Sequence, residues 1–175
     1  FPLLSKVLFP DINALQFAFL GPLVGALSRS GTGWLADRYG GARVTLWVFV
    51  LMIAGAAGVL WFITTKDQPG AFFGFFGSFL LLFFASGVGN ASTFQMIPAI
   101  MGKEMIRLMQ EADAETRRLQ AEKESAAITG FTSAVAAFGA FFIPKSYGSS
   151  IAMTGGPQAA LWGFLIFYVS CVVIT

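Results

Sequence analysis

Histidine is absent from the 175 residues of the sequence, and cysteine occurs once, at Cys171 within an apolar run. These shortages exclude a disulfide framework and thiol-rich metal sites. Charged residues make up only 11%, against about 25% in a soluble domain. The net charge of +2 is too small to indicate nucleic acid as a partner. Without a metal-ligand cluster, a cofactor motif or a nucleophile–base pair, we do not expect an enzyme, a bound metal or a cofactor.

The residues that are abundant are apolar. Hydrophobic residues reach 56%, mean hydropathy is +0.73, and phenylalanine and glycine each occur 20 times. A helix of about 20 mostly apolar residues crosses a bilayer. Strands are not expected, because the apolar runs are too long and lack a period of two. The predicted fold class is therefore an all-α membrane protein with transmembrane spans at about 13–36, 44–64, 71–101, 125–146 and 158–175.

One long polar segment, 102–124, separates the third and fourth spans. Its composition favours a helix with a thin apolar stripe, so we expect a helix at the membrane surface, with a disordered loop as the alternative. Most basic residues between the spans fall on the same side of the membrane as this segment, and the positive-inside rule makes that side cytoplasmic. The chain begins with Phe1 and stops within an apolar run, from which we expect a piece of a longer polytopic protein.

Arg29 is the one charged residue deep inside the predicted spans. Such a charge costs roughly 2.5–3.5 kcal/mol at the bilayer centre. Small residues share its helical face, which favours a side chain turned to the bundle interior over one that snorkels to the interface. The spans contain no Asp, Glu or His, so an anionic substrate is the expected partner, because a planar oxyanion matches the guanidinium fork. A carboxylate elsewhere in the protein is the alternative.

Two further segments carry candidate site residues. In GVGNASTFQMIP (87–98), Asn90 and Thr93 can offer hydrogen bonds to a cavity or to a neighbouring helix, and Phe94 shares their face. In GFTSAVAAFGAFFIP (130–144), Gly130 and Ser133 belong to a stripe of small residues. This stripe allows either close helix packing, which the composition alone favours, or close approach of a ligand to the backbone.

The turn GWLADRYGGAR (33–43) resembles the cytoplasmic loop motif of the major facilitator superfamily, which joins two helices of each six-helix half. In that motif, Asp37, Arg38 and Arg43 would pair across helices and latch one conformation. Three other stretches resemble the nitrate/nitrite porter family of the superfamily. They are GALSRS (25–30), STFQM (92–96) and the glycine- and alanine-rich segment 130–144, which is similar to the family's second nitrate signature.

The resemblance implies the C-terminal six-helix half of a transporter in a bacterial inner membrane. Its partners would be the missing N-terminal half, the lipid bilayer and a small inorganic anion, nitrate or nitrite. Arg29 would be one of two arginines that clamp the anion. Ser133 and the Gly130 backbone would line the site, Phe94 would form an aromatic wall, and Asn90 is a further candidate.

The expected function is alternating-access transport of nitrate and nitrite. Antiport is favoured over proton-coupled nitrate uptake, because the spans hold no carboxylate. A facilitator-type transporter of another substrate is one alternative. A membrane anchor subunit that transports nothing is another, of a different class.

Overall fold

The structure, a computed structural model, describes residues 1–175, the side chain of residue 14 excepted. Helices occupy nearly all of the chain, and no strand occurs among the described residues, so the predicted all-α class is confirmed. In chain order the helices are α1 (Pro2–Leu8), a 3-10 helix (Ala14–Phe17), α2 (Leu20–Gly31), α3 (Gly33–Tyr39), α4 (Gly41–Thr64), α5 (Ala71–Leu108), α6 (Ala114–Thr154) and α7 (Gln158–Ile174).

Three helices are long and apolar enough to cross a membrane, namely α4, α5 and α6, with 24, 38 and 41 residues. Helix α7 is apolar but shorter, at 17 residues. The membrane character predicted from composition therefore agrees with the helix lengths. The five separate spans stay a prediction, because length and hydropathy alone support three of them.

The first predicted span, 13–36, is not one continuous helix. A 3-10 helix precedes α2, whose 12 residues extend about 18 Å. The helix breaks at Thr32, where φ is −111° and ψ is 4°, and α3 begins at the next residue. The Thr32 hydroxyl donates a hydrogen bond to the Ser28 carbonyl at 2.6 Å. Gly31 and Gly33 flank this threonine, and all three residues propagate a helix poorly, which accounts for the break.

The polar segment 102–124 also differs from the separate surface helix that was expected. Helix α5 continues through Pro98 to Leu108, and α6 begins at Ala114 after a short turn. Asp113 caps α6 by accepting a hydrogen bond from the Thr116 backbone N–H at 3.2 Å. Extending an existing helix is favourable for each added residue, whereas a new helix needs a nucleus. The helix-forming residues therefore lengthen both neighbours.

Helix α5 is the central element, with α2, α3, α4 and α6 packed around it and α7 packed on α4. A core at one end of the bundle joins α1, α4, α5 and α7. Its buried members include Leu4, Val59, Ile63, Phe72, Phe75, Phe79 and Leu161. A second, smaller cluster between α4 and α5 consists of Val44, Val48, Ala85 and Val88. These two clusters hold α5 against α4 and so fix the frame on which α2 and α6 present their candidate residues.

Candidate functional site

Helix α2 lies against α5 through one face of small residues. Gly21, Gly25 and Ser28 are spaced to share that face. Gly21 lies under the Phe83 ring, and a Cβ at Gly25 would lie 3.5 Å from the Phe83 carbonyl oxygen. Small residues at such positions let two helix backbones approach closely in a membrane.

Gly87 of α5 is the counterpart of this face. A Cβ at position 87 would collide with the Ser28 hydroxyl and the Gly25 carbonyl, and would lie 3.1 Å from the Arg29 backbone nitrogen. The Ser28 hydroxyl itself donates to the Gly25 carbonyl at 3.0 Å, which keeps it within the contact. The contact at Gly87 therefore determines where α2 places Arg29.

The Arg29 side chain stacks on the Phe94 ring. Its guanidinium carbon lies 5.1 Å from the ring centroid. Stacking of this kind is worth about 0.5–2 kcal/mol and engages the face of the guanidinium, while the N–H donors point outward in its plane. Arg29 is exposed within this chain, and the ion pairs among the described residues do not include it. Its charge is therefore open to an anion or to another part of the protein.

A cavity of about 320 Å³ lies between α4, α5 and α6. Asn90 and Phe94 line it from α5, and Ser133 lines it from α6. The other lining residues are Thr45, Val48, Phe49, Met52, Ser86, Gly89, Thr93, Thr132 and Ala136. The structure thus brings together three of the predicted site residues, and Phe94 connects them to Arg29. The Asn90 amide and the Ser133 hydroxyl can each donate a hydrogen bond to a small oxyanion in the cavity.

Gly130 stands apart from this group. It is exposed on α6 and does not line the cavity, and a Cβ added to it would meet no atom within 4 Å. None of the most apolar 18-residue stretch of α6 is buried within this chain. The small-residue stripe of α6 is therefore exposed within the described chain. Its predicted role at the site stays a prediction.

Thr45 of α4 is a further candidate site residue, which the sequence reasoning missed. Its hydroxyl oxygen is buried at the cavity and has no hydrogen-bond partner among the described residues. Buried polar groups are nearly always paired, so this hydroxyl is a candidate donor of a hydrogen bond to a bound anion. A weak signal was present, since Thr45 and the terminal Thr64 are the hydroxyl residues of α4, a helix that is apolar apart from Arg43.

The three predicted latch residues lie at the turn between α3 and α4. Asp37, Arg38 and Arg43 are all exposed, and the ion pairs of the described chain do not join them. Gly40 makes the turn with φ of 85°, which favours glycine. The Gly41 carbonyl accepts a hydrogen bond at 3.2 Å from the hydroxyl of Ser92 on α5, so the turn is held to α5. The charged side chains therefore remain available for a partner outside this chain.

No protein-family model matches the chain. It is 44% identical over 179 residues to the "Nitrate/nitrite transporter NarU" of Salmonella typhimurium and 43% identical over 178 residues to NarU of Escherichia coli. It is 34% identical over 172 residues to the "Probable nitrate/nitrite antiporter NarK2" of Thermus thermophilus.

These matches cover 100%, 100% and 96% of the chain, but only 38%, 38% and 34% of the respective relatives. The chain thus spans little more than a third of the length of the curated relatives it matches. The resemblance inferred from the three sequence stretches is confirmed, and the relatives are named as transporters rather than enzymes.

Proposed function

Because this chain is homologous along its length to nitrate/nitrite transporters, we propose that it forms part of a membrane transporter that moves nitrate and nitrite by alternating access. The observation that supports this most directly is the environment of Arg29. Arg29 has no acidic partner in the described chain and stacks on Phe94, and Phe94 also lines a mostly apolar cavity to which Asn90 and Ser133 contribute polar groups.

The chemistry of these residues suits a planar oxyanion. The guanidinium supplies charge and a two-point donor geometry. The side chains of Asn90 and Ser133 take no part in hydrogen bonds within the described chain, so both can serve a ligand. Thr93 is different, since its hydroxyl donates to the Gly89 carbonyl at 2.9 Å. We assign charge neutralisation to Arg29, an aromatic wall to Phe94, and hydrogen bonds to Asn90 and Ser133.

In this proposal the anion binds between this chain and the remainder of the protein. The exposure of Arg29 in the isolated chain is consistent with a binding face of that kind. A second cation opposite Arg29, as the resemblance implies, would repel it until an anion intervened. Closure and rocking would then require bound anion, which favours exchange of one anion for another. Asp37, Arg38 and Arg43 are proposed to latch the cytoplasmic side through partners in the rest of the protein.

The test uses the full-length protein in proteoliposomes loaded with nitrite and supplied with external nitrate. Arg29→Lys keeps the charge and removes the two-point geometry, and we expect at least a tenfold loss of nitrate uptake. Arg107→Lys is the matched control, because Arg107 lies in the polar region of α5 and pairs with Glu104 at 3.8 Å. Undiminished uptake by the Arg29 variant would contradict the assigned role.

The same vesicles distinguish antiport from proton-coupled uptake. Antiport requires that nitrate entry depend on internal nitrite and persist when an ionophore removes the pH gradient. Entry that is driven by an imposed proton gradient into vesicles without internal anion would instead support proton-coupled uptake. The acidic residues of this chain all lie outside the predicted spans, which is why we expect the first result.

A further inference from the structure

A second cavity, which Arg29 does not line, lies between the end of α5 and the start of α6. This cleft has a volume of about 830 Å³. It lies where the two helices leave their apolar stretches and meet at the polar segment. Residues from both helices line it, namely Pro98, Ala99, Gly102, Lys103 and Ile106 of α5 and Ala114, Arg117, Arg118, Ala121, Glu122 and Ser125 of α6.

The wall of the cleft carries two cations without counter-ions in the described chain. Lys103 is exposed and Arg117 is half-buried, and the ion pairs of the described residues include neither. The third cation, Arg118, pairs with Glu115 at 3.0 Å and with Glu122 at 3.9 Å. Glu122, the acidic residue that lines the cleft, is thus already paired with Arg118. A half-buried arginine without a partner carries a desolvation cost that an anion would offset.

Most of the surface that lines the cleft is apolar. Pro98, Ala99, Ile106 and Ala121 contribute to this apolar surface. Ser125 adds no free donor, because its hydroxyl donates to the Ala121 carbonyl at 2.6 Å. A free inorganic anion would satisfy the two cations and leave this apolar surface in water. An amphiphile with an anionic head and a hydrocarbon chain matches both parts of the wall.

The position of the cleft favours the same ligand. The apolar spans predicted from sequence end near residue 101 and resume near 125, so the cleft lies at the level of the lipid headgroups. Basic residues dominate this side of the membrane, as on cytoplasmic faces that contact anionic leaflets. We propose that the cleft binds an anionic phospholipid, with its phosphodiester between Lys103 and Arg117 and an acyl chain along the Ile106 side.

The test measures phospholipid retention by the purified full-length protein with native mass spectrometry. Phosphatidylglycerol and phosphatidylcholine of equal chain length are the probes. The Lys103→Gln/Arg117→Gln double variant removes both unpaired cations. The Arg107→Gln/Lys123→Gln double variant is the control, because it removes the same charge from the same segment at positions that do not line the cleft. The shift in the thermal unfolding midpoint on adding each lipid gives a second measurement.

The parent protein is expected to retain phosphatidylglycerol in preference to phosphatidylcholine. The cleft variant should bind it about tenfold or more weakly, and the control variant less than about threefold more weakly. Equal losses in the two variants would overturn the proposal, because attraction would then be general to the basic surface. Equal retention of both lipids by the parent would overturn it too, as expected if another part of the protein fills the cleft. Displacement of phosphatidylglycerol by soluble glycerol phosphate at millimolar concentration would identify a headgroup-only anion site and would also overturn it.

Discussion

Gly87 of α5 and Ser28 of α2 touch so closely that no side chain fits between them. The next residue after Ser28 is Arg29, so any displacement of α2 at this contact moves the guanidinium as well. We expect Gly87→Ala to push α2 outward and to destabilise the protein by about 1–3 kcal/mol, the usual effect of overpacking. Nitrate transport should fall further than the loss of folded protein accounts for, because Arg29, the proposed partner of the anion, changes position.

The matched control for this prediction is Gly77→Ala in the same helix. A Cβ at Gly77 would meet no atom within 4 Å. The two variants are compared in thermal unfolding and in nitrate exchange with the full-length protein. If Gly87→Ala exchanged nitrate as well as Gly77→Ala does, the close contact would not be what positions Arg29.

The stacking of Arg29 on Phe94 predicts the effect of a change in the aromatic wall. Phe94→Leu keeps an apolar side chain and removes the ring face that the guanidinium occupies. The loss of about 0.5–2 kcal/mol corresponds to roughly 2- to 30-fold weaker apparent nitrate affinity. Phe49→Leu is the control, since Phe49 lines the same cavity from α4. Equal KM values for the two variants would show that the stacking does not contribute to binding.

Apolar run length was sufficient to predict the helices, but not where the chain interrupts them. The runs at 44–64 and 71–101 became α4 and the membrane part of α5 because bilayer-length apolar segments have few other options. The first run, 13–36, contains enough apolar residues for a span. Hydropathy does not reveal that the Gly-Thr-Gly sequence breaks the helix at Thr32. The expected helical face of Arg29 therefore holds only up to Gly31.

The site was predictable to the extent that it depends on unusual residues within helices. A lone arginine in an apolar run indicated Arg29, and polar residues on one face of α5 indicated Asn90 and Phe94. Contacts between helices were not accessible in this way. Gly87 and Thr45 matter because of what lies around them in the fold, and their own segments give no signal for Gly87 and only a weak one for Thr45. Gly130 is the opposite case. Its segment is conspicuous in the sequence, but a Cβ at this position would meet no atom within 4 Å in this chain.

Asp113 predicts a pH dependence at the start of α6. Two hydrogen bonds hold the pKa of the Asp113 carboxyl below its usual 3.8. The Thr116 hydroxyl donates the one with the larger effect, and the Thr116 backbone N–H donates the other. A depressed pKa means that the cap stabilises the helix above pH 3.8 and that this contribution is lost as the pH falls through the lower folded value. The protection of the backbone amides in the first turn of α6 against hydrogen exchange should therefore weaken in acid.

Hydrogen exchange of the peptide that spans the start of α6, corrected for intrinsic rates, checks this expectation. Asp113→Ala should lose protection already at neutral pH, and Asp113→Asn should retain it without the acid dependence. Glu111→Ala, in the turn just before the cap, is the control. An acid-dependent loss of protection in the Asn variant would assign the effect to another carboxyl.

Thr45 predicts a change that stabilises the protein and impairs its binding. Thr45→Val keeps the side-chain shape and removes the buried hydroxyl that has no partner in the described chain. Removing an unpaired buried polar group should raise stability by about 1 kcal/mol, whereas loss of one hydrogen bond to the anion should weaken apparent affinity roughly 3- to 10-fold. Thr64→Val is the control, because the Thr64 hydroxyl already donates to the Trp61 carbonyl at 2.7 Å, away from the cavity. A hydroxyl that serves only the ligand lowers stability while the ligand is absent, and its removal lowers the affinity for the ligand. A Thr45→Val protein with a higher unfolding temperature and an unchanged KM would therefore mean that the hydroxyl does not contact the substrate.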